Sequence, residues 1–207
     1  DIEQVPENII HAFLSAEDKN FYEHPGIDAI GITRAVFKNI ENVMTGSRLE
    51  GASTITQQVA KNFLLSSDVS LARKVKEAIL AFRIEKTLSK KRILELYLNE
   101  IYLGERSYGI ASASMTYFDK SIKDINNAEA ALLAALPKAP SKYNPYRNFE
   151  TVNARKNWVL ERMYENSFIN KQELDKSLKY KINLKKRNLE IDSSPAYFIE
   201  EVRKNLI

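Results

Sequence analysis

Apolar residues recur along most of the chain at intervals of three and four, the period of an amphipathic helix, and few runs alternate as a strand would. A mostly α fold is predicted. The first helix should start at Pro6, a residue favoured in a first turn, and carry Ile9, Ile10, Phe13 and Leu14. The row Ile10, Phe13, Leu14 continues at helical spacing through Glu17 to Phe21, which sets a carboxylate among apolar neighbours. A second helix is predicted around Ile32 to Ile40, followed by a polar loop with Thr45, Gly46, Ser47 and Gly51. Thr54-x-x-Gln57 has the form of a capping box, and the helix it opens carries Thr54, Gln58 and Lys61 on one side and Ile55, Val59 and Phe63 on another.

From Ser70 to Leu88 the pattern predicts a helix with a core stripe of Leu71, Val75, Ala78, Ile79 and Phe82. Leu80 and Ile84 make it apolar nearly all round beyond Glu77, the pattern of a central, buried element that holds a second interior carboxylate. The next helix, Lys90 to Leu103, packs Ile93, Leu94, Tyr97, Leu98 and Ile101, with Gly104 placed to end it, and Glu95 and Asn99 share a face. Further helices are expected over Ile110 to Tyr117, Asn127 to Leu136 and Thr151 to Tyr164, and Asn170-x-x-Glu173 forms another capping box. Residues 180–195 turn polar and lysine-rich, which divides the chain into a domain over 1–180 and an exit segment over 181–207.

Composition narrows the function classes. A 207-residue chain that is 44% hydrophobic and has 6 Gly, 6 Pro and no low-complexity tract is a folded domain, not a linker or a fibre. The absence of cysteine excludes a disulfide scaffold and thiolate metal sites, and two histidines, His11 and His24, give no basis for a histidine metal site. No apolar run is long enough to span a bilayer, and a start at Asp1 with no basic leader reads as a segment of a longer protein. The net charge of +4 hides a division, because residues 1–30 hold seven acidic and one basic side chain. An acidic head therefore sits on a basic body.

Two constellations carry chemistry. Glu17 and Glu77 are carboxylates on apolar faces, where burial raises a carboxyl pKa and suits general acid/base work. The plainer alternative is that Glu17 ends a helix and Glu77 pairs with Arg73 one turn away. Lys61, Arg73 and Lys74 form a cation group able to hold a diphosphate, or else a solvated basic face. His24 lies in the turn Tyr22-Glu23-His24-Pro25-Gly26 and serves either that turn or the chemistry. The motifs H-E-x-x-H, S-x-x-K and K-T-G are absent, against zinc hydrolysis and an acyl-serine site.

Four ordered runs then resemble the peptidoglycan glycosyltransferase family, that is, glycosyltransferase family 51. They are Glu17-Asp18-x-x-Phe21-x-x-His24-x-Gly26, Gly51-Ala52-Ser53-Thr54-Ile55-Thr56-Gln57-Gln58-x-x-Lys61-Asn62, Arg73-Lys74-x-x-Glu77, and Ile93-Leu94-Glu95-x-Tyr97-Leu98-Asn99. The likeness continues through Tyr108-Gly109-Ile110, Tyr117-Phe118 and Pro137-Lys138-Ala139-Pro140 to Tyr143-Asn144-Pro145. It implies a mostly α fold, with a lysozyme-like larger lobe and a smaller, membrane-facing jaw lobe whose candidate is the loop from Val43 to Leu49.

By the same resemblance, Glu17 is the base that takes the proton from the 4-hydroxyl of an acceptor GlcNAc as that oxygen attacks C1 of a donor MurNAc with inversion. Lys61, Arg73 and Lys74 hold the departing undecaprenyl diphosphate, and Glu77 is the second catalytic glutamate, organising the donor side. Gln58, Ser53 and Thr54 line the substrate, Asp18 and His24 shape the first motif, and Asn99 joins the substrate-binding set from a motif that supports the cleft from behind. The implied partners are lipid II, the growing glycan strand and the membrane surface, on the outer face of a bacterial cytoplasmic membrane. No nucleic acid and no resident metal are implied, though a divalent cation, Mg or Mn, could accompany the substrate's diphosphate. Ser194-Pro195-Ala196-Tyr197-Phe198 resembles the junction to a transpeptidase domain in bifunctional class A penicillin-binding proteins. Three positions depart from the family pattern: Val69 replaces a cleft cation, Asp119 stands where glycine is usual, and the second motif starts Gly51-Ala52 in place of Gly-Gly. The rival readings are a glycan-cleaving lysozyme-like hydrolase or lytic transglycosylase, which would need an acid on the leaving oxygen, and a basic nucleic-acid-binding module.

Overall fold

A computed structural model of the protein describes residues 1–44, 53–63 and 70–184. It is mostly helical: α1 (Glu7–Glu17), α2 (Ala29–Met44), α3 (Ile55–Phe63), α4 (Leu71–Thr87), α5 (Lys90–Glu100), α6 (Gly109–Phe118), α7 (Asn127–Ala135), α8 (Phe149–Glu165) and α9 (Lys171–Lys179). Among the described residues the one β feature is an isolated antiparallel bridge, Tyr102 to Tyr108.

The core is built around α7, which is buried along its whole described face from Ala128 to Ala135. Its alanines let α1 and α8 approach closely on either side, and Ile9, Phe13, Val152, Val159 and Leu160 fill the space between. The capping box read from the sequence at Asn170 forms, and the structure adds one at Asn126 that the sequence reading did not name. Asn126 and Glu129 close one at the start of α7, and Asn170 and Glu173 close the other at the start of α9. Glu129 is buried, and Lys120 Nζ lies 2.7 Å from its Oε1. Ile182 is buried in the same core; the expected exit segment beyond residue 184 and Val69 lie outside the described residues.

The helix α4 corrects the sequence reading. Leu71 is 87%, Val75 58%, Ile79 51% and Phe82 44% exposed, whereas Glu77 and Ala81 are the buried residues. The helix turns its carboxylate inward, toward α3, and its apolar row outward. A helical period reports which residues share a face; it does not report which medium that face meets.

Helix α5 stops at Glu100, earlier than expected, and Gly104 instead opens a turn in which Gly104, Glu105 and Arg106 all take left-handed φ values of 84°, 45° and 58°. A Cβ at Gly104 would stand 2.8 Å from the Tyr117 hydroxyl, which donates to Leu103 O. Asp119, at the end of α6, is likewise left-handed at φ 55°. That conformation explains why glycine suits this position, so Asp119→Gly is expected to raise stability by up to about 1 kcal/mol. Thermal unfolding of the variant checks this, and a lower midpoint contradicts it.

Candidate active site

The site begins where α1 ends. Glu17 is the last residue of that helix, and the chain then turns sharply through Asp18 to Gly26 before α2. Asp18 is buried and holds three contacts: His24 Nε2 lies 2.9 and 3.0 Å from its two oxygens, and the Ile55 amide donates to Oδ2 at 2.9 Å. The Gly26 amide donates to His24 Nδ1 at 3.1 Å, so Nδ1 is the bare nitrogen and Nε2–H the donor toward Asp18. Gly26 itself, at φ 95°, packs so tightly on α4 that a Cβ would lie 2.9 Å from Glu85 Cγ and 3.0 Å from Ala81 O.

Helix α3 docks on this turn through its first residues. The capping box is present, with the Thr54 amide donating to Gln57 Oε1 at 3.0 Å and the Gln57 amide to Thr54 Oγ1 at 3.1 Å. Thr54 Oγ1 also donates to Gly26 O at 2.6 Å. One turn further on, Gln58 Nε2 donates to Glu17 Oε2 at 2.9 Å, while the buried Tyr97 hydroxyl lies 3.4 Å from Gln58 Oε1. Tyr97, Gln58 and Glu17 thus form a chain that fixes the carboxylate's orientation.

Glu17 lines a cleft of about 660 Å³ together with Asp18, Ser53, Thr54 and Gln58. Burial pushes its pKa up, opposed by the Gln58 hydrogen bond and by the positive charges of Arg155 and Lys138; the negative charge of Asp18 adds to the rise. The result is a carboxylate with enhanced basicity, facing the cleft and backed by a fixed donor, the arrangement a general base requires.

The second glutamate has a different environment. Glu77 is 2% exposed, with Lys74 Nζ 2.9 Å from Oε2 and Arg73 Nε 3.3 Å from Oε1. The Arg73–Glu77 pair of the plainer alternative therefore forms, and Lys74 joins it. Lys74 Nζ also donates to Ser53 Oγ at 3.0 Å, which ties this group to a residue on the cleft wall. Glu77 does not line the cleft with Glu17; its two oxygens face Arg73 and Lys74 instead. Lys61 is exposed in the last turn of α3.

Asn99 stands apart. It is exposed on α5, its side chain donates to Glu95 O at 2.8 Å, and it does not reach the cleft. Its backbone carbonyl packs against Gly109 so closely that a Cβ there would meet it. Sequence reasoning missed the cations of α8. Arg155 and Arg162 line the cleft on either side of Trp158, with the Arg155 guanidinium 3.7 Å and that of Arg162 5.8 Å from its ring. Their spacing of three and four residues puts all three on one helical face, a legible signal that stood outside the motifs quoted above.

Residues 1–164 match the transglycosylase family, and the chain belongs to it. Among its relatives, penicillin-binding protein 1A of Rickettsia prowazekii is 48% identical over 206 residues, which is 100% of this chain and 26% of that protein. Penicillin-binding protein 1A of Neisseria flavescens is 50% identical over 205 residues, 99% of this chain and 25% of that protein. The chain thus spans about a quarter of the length of the curated relatives it matches. A crystal structure of penicillin-binding protein 1A from Haemophilus influenzae aligns over 73% of this chain and 20% of its own at 34% identity, with a TM-score of 0.45.

Proposed function

We propose that the chain polymerises lipid II into glycan strands, and the observation that carries this reading is Glu17, held by Gln58, in a cleft that Lys138, Arg155 and Arg162 also line. The Glu17 carboxylate takes the proton of the acceptor GlcNAc 4-hydroxyl as that oxygen bonds to C1 of the donor MurNAc. The bond from C1 to the diphosphate oxygen breaks on the opposite face, and undecaprenyl diphosphate leaves with its electron pair. Such a leaving group asks for positive charge in place of a proton donor. Lys61, Arg73 and Lys74 supply it on the resemblance, and Arg155 and Lys138 add to it from the cleft itself.

The carboxylates of the cleft favour transfer over glycan cleavage. A hydrolase needs a second carboxyl group to protonate the leaving sugar oxygen or to act as nucleophile. Besides Glu17, the cleft's carboxylates among the described residues are Asp18 and Asp28. Asp18 is engaged by His24 and the Ile55 amide, and Asp28 accepts from Asn20 at 3.0 Å and from the Gly31 amide at 2.7 Å. The residues do not fit a protein-held divalent ion: no group of three or more His, Asp or Glu stands together among those described, and both oxygens of Glu77 face cations. Such an ion belongs with the substrate's diphosphate. The test is incubation with labelled lipid II in detergent and, separately, with preformed strands. Polymer from the first and no release from the second are expected; fragments released from strands contradict the reading.

Membrane contact rests on the outward apolar row of α4 and on α2, where Ile30 is 77% and Phe37 70% exposed. Exposed apolar side chains in such numbers suit a lipid surface, where the substrate's lipid tail stays while its sugars enter the cleft. Among the described residues no helix is long and apolar enough to cross a membrane. The loop from Val43 to Leu49 lies mostly outside the described residues. Ile79→Ser with Phe82→Ser is expected to weaken binding to anionic vesicles roughly tenfold, as about 25 cal/mol per Å² of lost apolar contact implies. Vesicle co-sedimentation checks this, and unchanged partition contradicts it. We place the domain on the outer face of the cytoplasmic membrane, within a longer chain that also carries a transpeptidase domain.

A further inference from the structure

A second cavity, of about 550 Å³, lies against the turn that follows α5. Its polar groups are of both signs: Glu105, Arg106 and Arg147, with the amide of Asn144. Asn144 is buried, and its Nδ2 donates to Glu105 Oε1 at 2.6 Å. Tyr102 also lines the cavity, and its ring lies 4.9 Å from that of Tyr108, which is 62% exposed, so an aromatic surface continues outward from the rim.

The turn beneath this cavity is strained and held so. Glu105 and Arg106 both occupy the left-handed region without being glycine. The conformation is fixed from three sides: by Ser107 N donating to Gly104 O at 2.7 Å, by Ser107 Oγ donating to Thr116 Oγ1 at 2.8 Å, and by the Asn144 contact. Left-handed non-glycine residues held by that many partners cluster at functional sites.

The cavity's position suggests its occupant. The connection from α7 to α8 is a shared wall: Lys138 and Tyr143 line the active cleft, while Pro140, Ser141, Asn144 and Arg147 line the second cavity. A polymer in the first can reach the second by crossing one stretch of chain. Tyrosine faces beside amide and hydroxyl groups recognise sugars, and paired arginines recognise peptide carboxylates.

We propose that this cavity is a subsite for the nascent, uncross-linked glycan strand, with Tyr102 against the sugars and Arg106 and Arg147 on the carboxylates of its peptide stems. It rests on the polymerase reading above and adds a hold on the product away from the reacting atoms. Neither arginine is ion-paired with a carboxylate among the described residues.

The 207-residue chain, Tyr102→Ala and the double variant Arg106→Ala/Arg147→Ala are titrated with short, lipid-free, uncross-linked strands and assayed on lipid II. Strand affinity is expected to fall roughly tenfold, about 1.4 kcal/mol, in each variant. Products should shorten, while the initial rate of lipid II consumption and the thermal midpoint stay as in the parent. Strands stripped of their peptides should keep the dependence on Tyr102 and lose the dependence on the arginines; the reverse pattern overturns the assignment. Variants that bind strands as the parent does and give products of the same length overturn the subsite while leaving the polymerase intact. A parent that binds strands through these residues yet makes no polymer upholds the subsite and overturns the polymerase reading.

Discussion

Glu17→Gln is expected to lower the polymerisation rate by about 10²–10⁴-fold, the usual contribution of a positioned general base. The substitution keeps shape and volume, and an amide oxygen can still accept from Gln58 Nε2, which now lies 2.9 Å from the carboxylate. Only the proton acceptor is lost. Because burial raises the Glu17 pKa, the parent's rate should climb with pH through a value above the ordinary carboxyl range. That limb should vanish in the variant.

The same shift gives a stability signature of definite sign. A carboxyl whose folded pKa lies above its unfolded value binds a proton more tightly when folded, so its contribution to stability falls as pH rises through that window. Glu17→Gln should therefore unfold at a higher temperature than the parent at neutral pH. The advantage should disappear below the ordinary carboxyl range. A variant less stable than its parent at neutral pH would mean that the ionised carboxylate is a net structural contact.

Asp18→Ala is expected to cost about 3 kcal/mol of stability, because it leaves the buried Ile55 amide and the His24 ring without an acceptor. For a chain of this size that corresponds to a fall of roughly 6–12 °C in the thermal midpoint. Activity should fall further than the loss of folded protein explains. Asp18 joins the turn after Glu17 to the start of α3, and α3 carries the Gln58 that orients the base. A loss of kcat with KM nearly unchanged, measured well below the unfolding temperature, separates this positioning role from mere destabilisation. Wild-type kcat in folded Asp18→Ala contradicts it.

Features decided within a few residues were legible in the sequence. The capping boxes at Thr54 and Asn170 depend on side chains three positions apart, and both form with their two reciprocal hydrogen bonds. The row that led to Glu17 also survives folding, because Phe13, Leu14 and Phe21 are buried around the helix end that presents the carboxylate. The outward face of α4 was not legible. Leu71, Val75, Ile79 and Phe82 follow the period of a core stripe, and only their exposure in the folded chain shows that the stripe faces outward.

The cleft itself was legible only in part, because it joins residues far apart in the chain. Glu17 on α1, Gln58 on α3 and Arg155 on α8 meet across more than a hundred positions, and no local pattern encodes that approach. The family motifs supplied Glu17 and Gln58. Arg155 and Arg162 lay on a cation–aromatic face whose meaning depended on what α8 packs beside. Asn99 shows the converse, since a residue in a shared motif is not among those lining the cleft and its side chain donates to Glu95 O on its own helix.

The most direct measurement is polymer formation from labelled lipid II by the parent and by Glu17→Gln at equal folded concentration, with products resolved by length. Long strands from the parent and none from the variant are the predicted result. Polymer from Glu17→Gln at the parent's rate would contradict the account at its centre, because the base would then have to be another residue.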